Sequence, residues 1–270
     1  MRLFDRRVAV TLDTLRITDL RVALRIDRTL APEPNTLDLL VWNLSGDSRK
    51  RLQSSAPLRV IVEAGYAEGT EQIFVGDVRN VTSVHEDADW ITRIWSGDGE
   101  VAYRTAQIDE ALAAGARVEQ VFRRAAEALG LSLGNALEKA RAGDVRGALA
   151  EWTKGTVLSG RASDELTKLC RTLGYTWSIQ DGAIQVLADG DTTGEQALVL
   201  SPSSGLIGSP EAGEKGIVHA TSLLQPGLRP GRGCKLESEL FNGFYRVERA
   251  MHAADTHGQQ WTTDLNLRPI

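Results

Sequence analysis

The sequence predicts a mainly β protein in which a small α/β insert separates two β segments. Short runs near both ends alternate apolar and polar residues, which is the pattern of half-buried strands. In the middle of the chain, apolar residues recur every three or four positions, as on one face of a helix. We therefore divide the chain into a β domain at 1–103, an α/β domain at 104–187 and a second β domain at 188–270.

The first β domain contains several short strand patterns. In the clearest of them, residues 20–27, four aliphatic residues alternate with Arg, Ala, Arg and Asp. The other runs lie at 37–41, 58–64, 73–84 and 90–95. Proline, glycine and aspartate separate the runs. About five or six short strands at this spacing are typical of a sandwich or a small barrel.

The α/β domain begins with a helical pattern at 118–129, which Gly130 ends. An alanine-rich stretch at 135–152 predicts a second helix or two short ones. A further helix is expected to begin with Ser163 as its N-cap and to end at Gly174.

A β-hairpin follows this last helix. The pair Asp181-Gly182 lies between two alternating runs, which is a strong signal for a tight hairpin turn. Residues 189–194 are polar and turn-rich, and we interpret them as a linker. Strand patterns then return at 198–200, 217–224, 234–240, 244–250 and 261–267.

The two β segments end in similar ways. Residues 74–93 and residues 244–264 each contain a strand that begins with an aromatic residue, a histidine near its end, an acidic turn and a strand led by tryptophan. Such a weak internal repeat is expected if two copies of one barrel are present. Chance similarity between two hairpins is the alternative, and the sequence leaves both open.

Composition excludes several classes of protein. The chain has 270 residues and a formal net charge of −5, and a quarter of its residues are charged, as in ordinary globular proteins. No stretch approaches the ~20 apolar residues of a membrane helix, and Asp5, Arg6 and Arg7 stand where a signal peptide would be apolar. The acidic balance argues against a protein that binds nucleic acid by neutralising phosphates.

Nucleotide, hydrolase and zinc-protease motifs are absent from the sequence. The acidic turn at 189–194 begins like a calcium loop, but Leu200 stands where the chelating glutamate would be. The glycine-rich segment 226–233 lacks the following helix of a phosphate loop. We interpret both as turns, and we predict no catalytic residue, no metal site and no cofactor.

The cysteines, histidines and carboxylate pairs are not spaced as a catalytic or metal site would require. Cys170 and Cys234 are far apart, and we expect them to be buried and reduced. His252 and His257 lack a third metal ligand nearby in the sequence. The carboxylate pairs Asp87/Asp89 and Glu237/Glu239 are interpreted as solvated strand faces.

The C-terminal third resembles the baseplate hub proteins of tailed bacteriophages. The resemblance rests on segments that follow one another with short gaps: GLIGSP at 205–210, SLLQPGLRPG at 222–231, LES at 236–238, NGFYRVERAMHAADTHG at 242–258 and Trp-Thr-Thr at 261–263. The order of a β domain, an α/β insert and a second β domain is similar to that family over most of the chain.

The resemblance implies a structural role without catalysis. Such hubs carry two tail-tube-like β-barrel domains flanking a small helical α/β domain, and three chains form a ring of six barrels. That ring adapts a six-fold tail tube above to a three-fold spike below. The implied partners are two further copies of the chain, the tail tube or distal tube protein, the central spike, baseplate wedge proteins and a tape-measure protein in the lumen. The implied location is the virion tail, after synthesis in the bacterial host cytoplasm, with no sequence-specific nucleic-acid binding and no stable membrane association.

Four residues are candidates for contacts in such a ring. Leu223 and Leu224 are consecutive on a predicted strand, so one is expected to face the core and the other a neighbouring chain. Glu237 and Glu239 are candidates for the lumen wall, where negative charge would repel DNA. Two other functions are compatible with the sequence: a tail-associated peptidoglycan hydrolase that uses a carboxylate pair, and a carbohydrate-binding β module.

Overall fold

A computed structural model of the chain describes residues 5–54, 58–135 and 155–270. It separates into two compact units. The first unit comprises Met1–Thr29, Asn35–Gly97 and Gly194–Ile270, and the second comprises Leu30–Pro34 and Asp98–Thr193. Both predicted β domains contribute to the first unit. The second unit is wider than the predicted α/β domain at 104–187.

The described part of the first unit consists mainly of strands, with one short α-helix and two 3-10 turns. Before the second unit its elements are β1 (Arg7–Leu12), β2 (Leu15–Ile17), β3 (Val22–Thr29), β4 (Thr36–Trp42), α1 (Gly46–Ser54), β5 (Arg59–Tyr66), β6 (Gly69–Glu86) and β7 (Asp89–Gly97). After the second unit they are β12 (Leu198–Leu200), β13 (Leu206–Ala212), β14 (Val218–Leu223), β15 (Gly233–Glu237), β16 (Asn242–Asp255) and β17 (Trp261–Pro269).

The second unit combines helices with two small sheets. Its elements are α2 (Glu100–Thr105), β8 (Gln107–Leu112), α3 (Val118–Leu129), β9 (Thr156–Arg161), α4 (Ala162–Leu173), β10 (Tyr175–Gln180) and β11 (Ala183–Ala188). Strands β8 and β9 pair antiparallel, and so do β10 and β11.

One sheet of 13 strands runs through the first unit in the order β13-β14-β17-β16-β3-β4-β7-β6-β5-β1-β2. Strand β15 pairs with β16 and, in parallel, with β12, off this path. The pairing of β3 with β16 joins the two β segments, from Thr29 opposite Arg249 to Ala23 opposite Asp255. The sheet is therefore continuous across segments that are more than 200 residues apart in sequence.

The long hairpins β6–β7 and β16–β17 share a further feature. The register shifts between Val78 and Asn80 in the first hairpin and between Val247 and Arg249 in the second. Each long strand thus carries an extra residue near its middle, which is the geometry of a β-bulge. The two similar sequences at 74–93 and 244–264 therefore form similar hairpins, although the presence of two whole barrels stays a prediction.

Two apolar clusters fill the first unit. One contains residues of β1 to β7 together with Leu224, Ala254 and Trp261 from the C-terminal segment. The other lies among β12 to β17 and includes Leu236, Val247 and Leu267. Burial of these side chains, at about 25 cal/mol per Å² of apolar surface, is the main force that holds the sheet in this shape.

The helices of the second unit pack into the core through the apolar faces that the sequence predicts. Val121, Phe122 and Leu129 of α3 and Leu166 and Leu173 of α4 are buried in one cluster. Gly130 and Gly174 adopt positive φ at the helix C-caps, which glycine does at little cost. The predicted helix at 135–152 lies outside the described residues, apart from Asn135.

One detail of α4 was predicted wrongly. The helix begins one residue before Ser163, and Arg161 occupies the N-cap position without a side-chain cap. Ser163 is buried, and its hydroxyl donates to the Tyr103 carbonyl at 3.1 Å. A serine at a helix start caps the helix only if its backbone is extended, and here Ser163 is already helical.

Candidate functional site

The widest regular surface of the first unit is formed by eight consecutive antiparallel strands, β13-β14-β17-β16-β3-β4-β7-β6. Side chains alternate between the two faces of a sheet, and directly paired residues share a face. On the buried face, Leu24, Leu39 and Ile94 pack into the core. The opposite face, which we call the outer face, carries the intervening residues, such as Arg25, Asp38 and Arg93.

Both ends of this eight-stranded run have edges open to further pairing. Strand β13 pairs only with β14 among the described strands. Strand β6 pairs with β5 through Asp77, but from Asn80 to Glu86 its described partner is β7 alone. Exposed apolar side chains lie on both edges, Ile207 at 42% exposure and Val84 at 48%. Unpaired strand edges of this kind are templates for pairing with another chain.

Two ion pairs of the same geometry cross the outer face. Arg249 Nε on β16 donates to Asp27 Oδ1 on β3 at 2.7 Å, and its Nη2 donates to the other carboxylate oxygen. Arg93 on β7 donates to Asp38 on β4 in the same way, with distances of 2.8 and 2.5 Å. In both pairs, the arginine lies diagonally across from the aspartate, two residues from direct register. Such two-pronged contacts use the guanidinium edge that would otherwise bind a phosphate.

A third pair lies at the edge of the same face. Arg21 donates to Asp255 Oδ2 at 2.9 Å, and its guanidinium stacks on the Trp42 ring at 4.3 Å from the centroid. The hydrogen bond to Asp255 raises the pKa of Arg21, and the corresponding bond to Asp38 raises the pKa of Arg93. These arginines therefore stay charged at every physiological pH, with their charges matched by neighbouring carboxylates.

The buried face contains an unusual polar centre. His252 is fully buried on β16, and its Nδ1 shares a hydrogen bond of 2.9 Å with Thr263 Oγ1. Arg28 is 1% exposed and donates to the Ile73 carbonyl, while Arg229 donates to the Gln72 carbonyl. Burial, and then the charges of Arg28 and Arg229, lower the pKa of His252 to about 3. The imidazole is therefore neutral, and the hydrogen bonds of this centre join β16 to β17 and β3 to β6.

The predicted interface residues lie at the end of β14. Leu224 is fully buried and belongs to the first apolar cluster, while Leu223 is half-buried and directly opposite Thr262 on the outer face. The two side chains thus point to opposite sides. The role of Leu223 toward a neighbouring chain stays a prediction.

The predicted lumen residues lie away from the eight-stranded run. Glu237 ends β15 and pairs with Lys235 at 2.7 Å, and Glu239 is exposed in the turn that follows. Strand β15 pairs with β16 beside the eight-stranded run, and Glu237, directly opposite Asn242, lies on the same side of the sheet as the outer face. Their lumen role stays a prediction. The sequence reasoning missed the Arg–Asp pairs because their partners are far apart in the chain.

The other residues singled out for chemistry are dispersed. His85 stacks on Trp90, His219 Nδ1 bonds Asn266 Oδ1 at 2.8 Å and His257 Nδ1 bonds Thr256 Oγ1 at 2.9 Å. No group of three histidine, cysteine or acidic residues suited to a metal ion occurs among the described residues.

Both cysteines are buried and unpaired as disulfides. Burial raises the pKa of the Cys234 thiol to about 12 and that of Cys170 still higher. Thiols with such pKa values are not nucleophilic at neutral pH. In the described part of the chain, no helix is long and apolar enough to cross a membrane.

Comparisons with known proteins were made on the sequence and on the fold. A family model described as baseplate hub gp41 matches residues 7–265. No curated protein sequence matches the chain.

Several solved structures share the fold at low sequence identity. A 43 kDa tail protein of prophage MuSo2 from Shewanella oneidensis has a TM-score of 0.69 at 8% identity, with 98% of this chain and 97% of that chain covered. A tail protein from Neisseria meningitidis has a TM-score of 0.65 at 10% identity, covering 98% and 96%. A type VI secretion component of E. coli, described as similar to bacteriophage T4 tail proteins, has a TM-score of 0.61 at 12% identity, covering 97% and 76%.

Proposed function

This chain belongs to the baseplate hub gp41 family of phage tail proteins, and from that premise we propose that it builds the hub ring of a baseplate. Three chains close into a ring whose inner wall surrounds the channel for DNA. The ring adapts a six-fold tail tube on one side to a three-fold spike on the other. In this role the chain is a structural component of the virion and has no catalytic site.

The observation that carries the proposal is the eight-stranded run with an open edge at each end. Among the described strands of one chain, β13 has a partner on one side only, and so does the second half of β6. In a ring, the β13 edge of one copy pairs with the β6 edge of the next, so that neither of these two edges remains open. The polar outer face then lines the channel, and the apolar face stays buried in each chain.

The two bulged hairpins support the six-fold aspect of the proposal. Hairpins β6–β7 and β16–β17 occupy the two halves of the run, and each has its bulge near the middle of the longer strand. If each half of the run occupies one position around the ring axis, three chains provide six similar positions. A tube of six subunits can dock on such a surface although the ring has only three chains.

The partners in this proposal follow from the position of a hub. The tail tube or distal tube protein binds above the ring, the central spike binds below it and wedge proteins surround it. The tape-measure protein occupies the channel before DNA does. Assembly takes place after synthesis in the bacterial host.

Light scattering coupled to size exclusion tests the proposal. We expect a particle of three chains, each of 29.4 kDa, either for the chain alone or after addition of the tube or spike protein. A chain that remains monomeric with both partners present would contradict the ring. Release of muropeptides from cell walls by the purified chain would instead favour a hydrolase, and sugar-dependent retention on a glycan column would favour a carbohydrate-binding module.

A further inference from the structure

The outer face has nearly balanced charge although the whole chain is acidic. Across the four adjacent strands β16, β3, β4 and β7, charges alternate in the order Arg249, Asp27, Arg25, Asp38 and Arg93. Arg249 and Arg93 are held by two-pronged bonds to Asp27 and Asp38. Arg25 has no ion-pair partner among the described residues. The face is therefore a mosaic of opposite charges and not a uniformly acidic surface.

This mosaic has a consequence for polyanions. A guanidinium binds a phosphate with the same two parallel N–H groups that bind a carboxylate. A duplex that approaches the outer face meets two arginines, Arg249 and Arg93, whose parallel donors already bind carboxylates. If the carboxylates were absent, three arginines in a row across the sheet would form a site for the DNA backbone.

We propose that Asp27 and Asp38 mask a latent binding surface for the phosphate backbone of duplex DNA, and so keep the outer face from retaining DNA. This inference rests on the proposed function in one respect, because the outer face meets DNA in the virion only if it lines the channel. The arginines reduce the repulsion between the outer face and DNA. The aspartates occupy the same arginines and so prevent them from binding the phosphates tightly.

The geometry explains why the masking is specific to these two aspartates. Each aspartate accepts two N–H groups of one arginine. Asp27 and Asp38 lie on the neighbouring strands β3 and β4, at the centre of the run. Arg93 is further held in place by the Trp95 ring, whose centroid lies 4.5 Å from the guanidinium carbon. Removal of the carboxylates would therefore take away the acceptor to which each of these two guanidinium groups now donates with two N–H groups.

Fluorescence anisotropy with a short labelled DNA duplex tests the proposal. We expect the unmodified chain to show no saturable binding in the low micromolar range. The double variant Asp27→Asn with Asp38→Asn should bind at least about tenfold more tightly, because two two-pronged arginine contacts become available to phosphates. The logarithm of its affinity should fall with the logarithm of salt concentration with a slope of about −1.8 for two contacts.

Matched variants separate masking from a general change of charge. Glu237→Gln with Glu239→Gln changes the net charge equally but lies outside the four strands that carry the arginines, and Glu237 pairs with Lys235, so the arginines stay masked and binding should not increase. Asp27→Glu with Asp38→Glu retains both charges and should also stay inactive. Addition of Arg93→Gln and Arg249→Gln to the asparagine variant should abolish the gained binding.

The outcomes are distinguishable from those that test the ring. Equal binding by the asparagine variant and the Glu237/Glu239 variant would overturn the masking role in favour of net charge. Absence of a gain in a variant that keeps the cooperative thermal unfolding of the parent would overturn it outright. If the chain is monomeric but the asparagine variant alone gains DNA binding, the proposed ring is contradicted and the masking role is supported.

Discussion

At the scale of single residues, the buried polar centre around His252 opposes folding, because burial of polar groups costs free energy. A buried imidazole beside Arg28 and Arg229 cannot accept a proton without a large cost in free energy, because solvent is absent and both neighbours are positive. The compensation is geometric. The guanidinium groups donate to carbonyls of β6 at Gln72 and Ile73, next to the register shift between β5 and β6. In a regular sheet, backbone N–H groups would donate to these two carbonyls. Here the arginine side chains donate to them instead.

This centre makes the protein sensitive to acid. The pKa of His252 is about 3 in the folded chain and about 6.5 when unfolded. Below pH 6.5 the unfolded state binds more protons, so the free energy of unfolding falls as pH decreases toward 3 and is fully recovered above 6.5. The expected contribution to the slope is about 1.4 kcal/mol per pH unit between these limits. Urea unfolding at several pH values should show this slope.

His252→Asn provides the comparison for the pH series, because asparagine does not titrate. This variant should be less stable at pH 7 but should lose that part of the slope. Parallel pH profiles for the two proteins would contradict the assignment to His252. His219→Asn, which replaces an exposed histidine, is the control for the substitution itself and should keep the stability of the parent at pH 7.

At the scale of elements, strand β13 shows how position in the sheet overrides local preference. It contains Gly208 and Pro210, both unfavourable within a strand, and the sequence pattern did not predict it. A proline is tolerated at an edge, where its missing N–H faces away from the ladder. Helix α1 was also not predicted, because the pattern around it is that of a β domain. Its start is marked only by Ser45, whose hydroxyl accepts from the Ser48 backbone N–H at 3.1 Å.

The β10–β11 hairpin depends on a residue outside its own sequence. The carboxylate of Asp98, which is buried, accepts the backbone N–H groups of Asp181 and Gly182 at 2.7 and 2.9 Å. Asp98→Ala should lower the free energy of unfolding of the second unit by about 2–4 kcal/mol, because two partly buried donors lose a charged acceptor. Denaturation monitored by the fluorescence of Trp177, which lies in β10, measures the loss.

Asp109→Ala is the control for this prediction. Asp109 is an exposed carboxylate on β8 in the same unit, and its removal should change stability by no more than about 0.5 kcal/mol. An equal loss in both variants would show that the effect comes from net charge and not from the hairpin turn.

At the scale of the whole molecule, the eight-stranded run has two edges that a single chain does not close. Lysine on an edge strand discourages pairing with another chain, because its charge must stay hydrated. Val84→Lys and Ile207→Lys, one on each edge, should therefore shift the proposed trimer toward monomers. The unfolding free energy of the separate chain should stay within about 0.5 kcal/mol of the parent value, since both side chains are exposed. Light scattering and urea unfolding on the same samples check the two expectations.

Val157→Lys is the matched control for the edge variants. Val157 is 65% exposed on β9, a strand of the second unit that pairs with β8 and is neither of the two edge strands of the eight-stranded run. Loss of the trimer in this control, or a trimer that persists with both edge substitutions, would contradict pairing through β13 and β6.

The sequence by itself determined the features that depend on neighbouring residues. Alternating runs identified β3, β4, β7 and β17, and helical spacing identified α3 and α4 with their terminal glycines. The pair Asp181-Gly182 identified a hairpin, because both residues tolerate positive φ. The segments from 205 to 263 pointed to the family to which the chain belongs.

Only the tertiary structure decided which strands are neighbours and which charges meet. The pairing of β3 with β16 joins residues more than 200 positions apart, and it brings Arg249 to Asp27 and Arg21 to Asp255. Local patterns do not encode such partners, because alternation fixes the face on which a side chain lies but not the strand beside it. For the same reason, the sequence predicted a polar strand face for Glu237 and Glu239 but not the surface to which that face belongs. The outer face with its balanced charges emerged only when the register of all eight strands was known.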